Sequence, residues 1–319
     1  MKVAVVGAGV MGCATAWALR ERGAEVTVHE QFGVDHDRGS SHGRTRIFRV
    51  AYPEESWVRF AQEAYAGWQE LDPSLLGLYG LIELVADPEL TSARALDECG
   101  VPYRILDQDE VRGHGAVLPD GWTALYVPDA GVVFADRARH ALLEAAGAEV
   151  ETNRRVESTD ELDADVVVVT AGSWIRDLVP EVAVTVTRET VAYFKREGPP
   201  PPSIVDLNAE TGGHGMYSLS DPVHGLKAGA HHAGAEADPD ADGAPDPAIV
   251  ERIAAWVRER FPDVDPDPVE AQACLYTTTA DEHFVFERRG RVVVGSACSG
   301  HGFKFAPAVG RRLAELALS

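Results

Sequence analysis

The sequence predicts an α/β fold in two interleaved domains, and three observations predict it. The chain opens on a glycine-rich strand–turn–helix–strand unit. Further single βα units then alternate with strand-rich blocks, down to a C-terminal helix. The 319 residues are about two domains' worth at roughly 100–200 residues each.

Lys2 to Val6 reads as a buried strand, Cys13 to Arg22 as a helix stopped by Gly23, and Glu25 to Glu30 as a second strand. Between strand and helix lies Gly7-Ala8-Gly9-Val10-Met11-Gly12. Gly7 permits the tight turn, Gly9 lets the backbone approach a pyrophosphate, and Gly12 lets the helix pack on the strand. The helix N-terminus offers free N–H groups and a positive dipole end to phosphates. Glu30 ends the second strand, where a carboxylate accepts hydrogen bonds from ribose hydroxyls and disfavours a 2′-phosphate. This unit of about thirty residues is the context in which such glycines bind a dinucleotide, although the motif does not separate FAD from NAD.

A polar loop follows, Gly39 to Arg49. Pro53 to Ser56 reads as a helix start with Ser56 as cap, and Trp57, Phe60, Ala64 and Trp68 give the helix a core-facing stripe. Leu81 to Val85 and Ala124 to Val127 read as short strands, with an αβ stretch around Glu110 and Val111 between them. Asp136 to Ala146 is helical, and Glu149 to Thr152 and Val166 to Thr170 are strands, the latter of buried parallel type. Val182 to Phe194 reads as one or two strands, and Pro199 to Pro202 as a loop. The acidic, proline-rich stretch Glu236 to Pro247 reads as a solvated linker. Ile249 to Phe261 is an amphipathic helix, Val292 to Val294 a strand, and Val309 to Leu318 the last helix.

Composition narrows function by exclusion. There are 29 Lys+Arg against 51 Asp+Glu, a net charge of −22, and the pI is near 4.8. Nucleic acid and anionic lipid surfaces are poor partners for such a chain. Cys13, Cys99, Cys274 and Cys298 show neither a disulfide framework nor metal-ligand spacing, so no metal is expected. No run of about 18 apolar residues and no basic leader occur, which points to a cytoplasmic, reducing location. Oligomeric state is expected to be a monomer or small homo-oligomer.

Three segments stand out against the acidic background. Arg44, Arg46 and Arg49 with His42 suggest an anion site, and Arg46 and Arg49 would share a face if the stretch were helical. Lys227, Gly229 and His231 would point one way along a strand, setting a lysine, a gap and an imidazole side by side. Cys274-Leu-Tyr276 and Gly300-His301-Gly302-Phe303-Lys304 form the third, with glycines and free N–H groups where a cofactor could sit. No hydrolase or zinc motif appears.

These residues together resemble the monomeric sarcosine oxidase group of FAD-dependent amine oxidases, in the D-amino acid oxidase superfamily. The resemblance runs nearly end to end. It rests on the N-terminal fingerprint, Gly39 to Arg49, Asp129 to Phe134, Thr170-Ala-Gly-Ser-Trp174, Gly225-Leu-Lys227, Cys274-Leu-Tyr276-Thr, Asp281 to Phe284 and Ser299 to Phe305. It implies a Rossmann-like FAD-binding domain (1–80, 131–182 and 284–319) interleaved with an α+β substrate domain on an antiparallel or mixed sheet (81–130 and 183–283). It implies FAD rather than NAD, with Cys274 as the covalent anchor. Gly7, Gly9, Gly12, Glu30, Ser40, His42, Arg46, Val156, Ala171, Gly172, Trp174, Gly300, Gly302, Phe303 and Lys304 are the other implied cofactor contacts.

The implied activity is oxidation of a small carboxylated amine by O2, giving an imine and H2O2. Arg49 and Lys304 would hold the carboxylate, Lys227 would promote the oxygen reaction, and His231 and Tyr276 would line the substrate pocket. The alternatives are a flavin-dependent amine dehydrogenase or tailoring oxidoreductase using another acceptor or a bulkier substrate, a degenerate non-catalytic flavoprotein, and an NAD-dependent dehydrogenase. Three features depart from the family pattern: a chain shorter by several tens of residues, without the usual C-terminal tail; a pocket tyrosine matched by either Tyr217 or Ser218; and an extra charge at Arg44.

Overall fold

A computed structural model describes residues 1–86, 91–207, 215–296 and 298–319. Its first sheet has six strands, in the order Val285–Arg289, Val292–Ser296, Val166–Val169, Lys2–Val6, Glu25–His29 and Glu149–Glu151. All neighbours are parallel except the hairpin formed by the first two. Strands buried on both faces need apolar residues at successive positions, and Val166–Val169 is four valines, all buried. Val3 and Val5 face a core shared with the helices Val10–Glu21, Ala135–Ala146 and Ala306–Leu318. Ala4 and Val6 face the opposite way, onto Val156, Leu162, Ile175 and Val179.

The second sheet is mixed and has nine strands. Its main path runs Ala235–Glu236, Thr185–Lys195, Gly225–Ala230, Met216–Asp221, Ser203–Asp206, Leu81–Val85, Thr123–Val127 and Arg104–Leu106, and Glu270–Thr278 also pairs with Thr185–Lys195. Only Ser203–Asp206 and Leu81–Val85 run parallel. Helix Pro247–Arg260 covers one face, setting Ile249, Ile253, Trp256 and Val257 against Phe194, Leu226 and Ala228. A third sheet of three strands, Thr45–Phe48, Gly131–Phe134 and Leu76–Gly77, packs into the first core through Phe48, Leu76 and Val133.

Three local expectations change, and one narrows. The helix over 55–71 begins at Glu55; Glu54 stands at the cap position, and Ser56 turns its hydroxyl to the Glu54 carboxylate instead of capping. An acid in the first turn already suits the helix dipole there. Val182 to Phe194 resolves into the single strand Thr185–Lys195. Arg46 lies in the strand Thr45–Phe48 rather than on a helix, because this segment pairs with Gly131–Phe134.

The acidic stretch 236–247 is docked and does not float as a linker. Asp240 accepts hydrogen bonds from Trp174 Nε1 (2.7 Å) and Arg155 Nη1 (3.1 Å), while Arg38 donates to the Asp240 carbonyl and pairs with Asp242. Its carboxylates answer cations that lie far from it along the sequence, which a solvated loop would not do.

Candidate active site

One cavity lies between the first two sheets, and its wall begins at the fingerprint. Gly7 has φ +99°, and a Cβ there would stand 2.6 Å from the Thr170 carbonyl oxygen. A Cβ on Gly12 would meet the Gly7 carbonyl oxygen at 1.8 Å, so only glycine lets the helix sit this close. Gly12 is therefore a packing residue, and it is the one expected contact that does not line the cavity. Glu30 is 4% exposed and accepts from the backbone N–H groups of Ala8 (2.8 Å) and Phe32 (3.0 Å). Gly9, Ser40, Val156, Ala171, Gly172 and Trp174 all reach the same wall.

Cations line the remainder. Arg46 donates to the carbonyls of Ser40 (2.9 Å), His42 (2.5 Å) and Thr45 (3.0 Å), a set of backbone bonds that folds the 40–45 loop around its guanidinium. Lys227 is 4% exposed and donates to the Thr45 carbonyl at 3.2 Å. Burial, helped by the Arg46 charge, pulls the Lys227 ammonium down to about 7, against the opposing effects of Cys274 and Asp221. Lys304 is 5% exposed, donates to the His301 carbonyl, and is lowered chiefly by burial. Trp68 Nε1 bonds the Lys304 carbonyl at 2.8 Å, so the helix 55–71 holds this lysine in place.

The chain contains four lysines, Lys2, Lys195, Lys227 and Lys304, and two of them are buried in this cavity. Neither these two nor Arg46 nor Arg49 forms an ion pair with a carboxylate among the described residues. A buried charge without a counter-ion is costly unless a ligand supplies one.

His42, His231 and Tyr276 line the same cavity. Burial, with Arg46 and Lys227 adding to it, drops His42 to about 4, so it is neutral at neutral pH, and its buried Nε2 has no partner among the described residues. His231 Nδ1 lies 3.4 Å from the Tyr276 hydroxyl; burial drives the imidazole down and the phenol up. Cys274 reaches the cavity from Glu270–Thr278, its thiol raised by burial and lowered by Arg46 and Lys227. Gly300, Gly302 and Phe303 complete the wall.

Two expectations about this wall are corrected. Arg44 does not join the anion site: it pairs with Asp221 (2.8 Å) and Glu270 (3.1 Å), carboxylates brought to it by the second sheet. The gap expected over Gly229 is filled, since a Cβ there would lie 2.5 Å from the Tyr217 hydroxyl. Of the two candidates for a pocket tyrosine position, Tyr217 lines the cavity, whereas Ser218 is fully buried away from it. Residues not foreseen are Ser41, Thr45, Cys298 and His301, which line the cavity, and Tyr52, which Arg49 and Lys304 both face. Ser41 and Thr45 lie inside the conspicuous 39–49 segment, whereas Tyr52 carried no sequence signal.

FAD fits this donor set. The fingerprint brings the helix N-terminus to the cavity wall, where, among the described residues, only the Val10 N–H is taken, by the Ser41 hydroxyl; Glu30 stands where a ribose needs an acceptor, and cations without carboxylate partners suit an electron-accepting ring that gains negative charge and an anionic substrate.

The comparisons agree. The chain belongs to the FAD dependent oxidoreductase family (DAO), whose model matches residues 2–316, and its class is the FAD-dependent amine or amino-acid oxidoreductases. More particularly, it is 31% identical to the human peroxisomal sarcosine oxidase, over 98% of this chain and 91% of that one. It is equally 31% identical to the monomeric sarcosine oxidase of Bacillus sp. strain B-0618, over 99% and 92%. Among solved structures, NikD, described as an unusual amino acid oxidase essential for nikkomycin biosynthesis, superposes with a TM-score of 0.85 at 26% identity, covering 99% of this chain and 93% of NikD. Among the described residues no helix is long and apolar enough to cross a membrane, and no cluster of residues could hold a metal ion.

Proposed function

We propose that the protein is an FAD-dependent oxidase of a small carboxylated amine, an N-methyl or cyclic amino acid, that passes electrons to O2. The observation that carries this reading is the pairing of Arg49 and Lys304 around Tyr52, in the cavity that the dinucleotide fingerprint opens. Sarcosine and amino acids are the substrates named for the relatives, and both carry a carboxylate that two cations can hold.

FAD, when bound, supplies the two-electron acceptor: the amine loses a hydride equivalent and a proton to become an imine, water hydrolyses the imine, and O2 leaves as H2O2. The protein's part is orientation and field. Arg49 and Lys304 fix the substrate carboxylate and so restrict the pose of its C–H bond. Their positive charge, with that of Lys227, favours the neutral form of the substrate amine, which is the reactive one. Protonated Lys227 stabilises negative charge as it develops on oxygen. His231, Tyr276 and Tyr217 close the pocket around the amine. Cys274 would carry the cofactor through a thioether to the 8α-carbon, a bond whose formation removes two electrons and two protons that O2 accepts.

The strands of the first sheet come from 2–29, 149–169 and 285–296, and those of the second from 81–127 and 185–278. This supports an FAD-binding domain of 1–80, 131–182 and 284–319 and a substrate domain of 81–130 and 183–283. Four free cysteines support a reducing compartment. The test is anaerobic: bleaching of the bound flavin by N-methyl or cyclic amino acids, followed by recovery of colour on admitting O2. A protein that purifies colourless, or a flavin that no carboxylated amine bleaches, rules the reading out.

A further inference from the structure

The surroundings of Lys227 extend beyond the cavity wall, and Arg44 is their centre. Arg44 Nε donates to Asp221 Oδ1 at 2.8 Å and Nη2 to Glu270 Oε2 at 3.1 Å. Its guanidinium carbon lies 4.3 Å from the centre of the Tyr193 ring. Lys227 Nζ faces that same ring at 5.7 Å, and Tyr193 and Lys227 are directly opposed on neighbouring antiparallel strands. Asp221 has no exposed side chain, and its second oxygen accepts from the backbone N–H groups of Val223 and His224. Glu270 is held by His224 (2.9 Å) and Gln272, and Gln272 also accepts from the Tyr193 hydroxyl (2.8 Å). Arg44 is thus locked by geometry near Lys227 and outside the cavity lining.

We propose that Arg44, clamped by Asp221 and Glu270 and laid on Tyr193, is a positioning residue that sets the charge state of Lys227 and so the pH range in which the reduced enzyme reacts with oxygen. This rests on the reading of Lys227 as the residue that promotes oxygen reduction. The groups facing Lys227 are Arg46 and the Thr45 carbonyl from one strand, His42 and Arg44 from the preceding loop, Cys274 from another strand, and Tyr193 and Asp221 from the neighbouring strands of its own sheet. Two cations thus disfavour its proton, and Asp221 favours it. Arg44 and Asp221 act on the lysine in opposite directions: removal of Arg44 takes a cation from beside it and removal of Asp221 takes an anion, so the two changes have opposite sign.

The opposite signs make the test sharp. Because the chain has only four lysines, holoenzyme grown with lysine labelled at the ζ nitrogen gives four signals, assigned with Lys2→Arg, Lys195→Arg and Lys304→Arg. Arg44→Gln should move the Lys227 titration midpoint up by about one pH unit, and Asp221→Asn should move it down by about as much. Arg44→Lys, which keeps the charge, should stay near the parent. If Asp221→Asn does not fold, because its carboxylate also holds the 221–224 turn, Glu270→Gln should give a downward shift. Equal midpoints, or shifts of one sign in both single variants, overturn the proposal. Stopped-flow reoxidation of the reduced enzyme by O2 should follow the same midpoints, falling as pH rises through each. Midpoints that move while reoxidation does not would overturn the oxygen role of Lys227, leaving its coupling to Arg44 intact.

Discussion

Arg49 lies over the Tyr52 ring, with its guanidinium carbon 4.1 Å from the ring centre. Lys304 faces the same ring at 5.8 Å, so one aromatic surface spaces two cations at the cavity wall. Burial would raise the Tyr52 phenol, but Lys304 and Arg49 outweigh it and bring it below the ordinary tyrosine range. Arg49→Gln or Lys304→Gln should lower kcat/KM by about 2–4 kcal/mol, or roughly 30–1000-fold. Tyr52→Phe keeps the ring and should cost less than either. Steady-state kinetics with a carboxylated amine and with its methyl ester separates the effects, because the ester should lose nothing further in the charge variants.

Two thiols, Cys274 and Cys298, reach the cofactor cavity, and only Cys274 is expected to bond the flavin. Acid precipitation should leave yellow colour in the pellet for the parent and for Cys298→Ala. In Cys274→Ala the colour should pass to the supernatant. Colour retained in Cys274→Ala and lost in Cys298→Ala would reverse the assignment.

Glu30 accepts two backbone N–H groups from a position 4% exposed. Glu30→Ala strands both donors and should destabilise the fold by about 1–3 kcal/mol. Flavin affinity, read in a Cys274→Ala background, should fall as well. Denaturant unfolding and fluorescence titration give the two numbers separately.

Burial of Lys227 predicts a pH-dependent stability once flavin is removed. Its value falls from the ordinary 10.5 to about 7 in the folded chain. Between those values the unfolded chain holds more protons, so stability rises with pH through the window. Below it both states are protonated, and the whole penalty of the buried charge is felt. Lys227→Met should therefore stabilise the flavin-free protein most on the acid side, with an advantage that shrinks towards the alkaline end. A difference between the two proteins that is constant across urea titrations at several pH values contradicts this.

Asp240→Ala should loosen the strap that bonds Trp174. Trp174 lines the cavity and loses its only described hydrogen-bond partner at Nε1, while Arg155 keeps Asp177. Flavin should leave a Cys274→Ala, Asp240→Ala double variant about tenfold faster than the single one, matching the roughly 1–1.5 kcal/mol of one such bond. Stopped-flow fluorescence after mixing with an excess of a tight FAD-binding apoprotein reads that rate.

The parts legible in the sequence are those fixed by local rules. The turn at Gly7, the contact at Gly12 and the valines of 166–169 each follow from sterics or burial within a few residues. What escaped depends on the register of the second sheet. Arg44 is 177 residues from Asp221 and 226 from Glu270, and no spacing along the chain announces either pair. The Asp240–Trp174 bond spans 66 residues, and the gap over Gly229 was closed by a tyrosine on the neighbouring strand. Charge counted along the sequence could find the cations but not their partners.

The scarcity of lysine has a practical side. Lys2 and Lys195 are exposed, on different sheets, while Lys227 and Lys304 are buried in the cavity. Amine-directed reagents thus meet two side chains and the exposed amine of Met1 outside, and conjugation beyond those three marks the interior. Coupled to an activated support, the enzyme would be tethered in few orientations. The ratio of label taken up with flavin present to that taken up without it would count how many of the inner amines the cofactor shields.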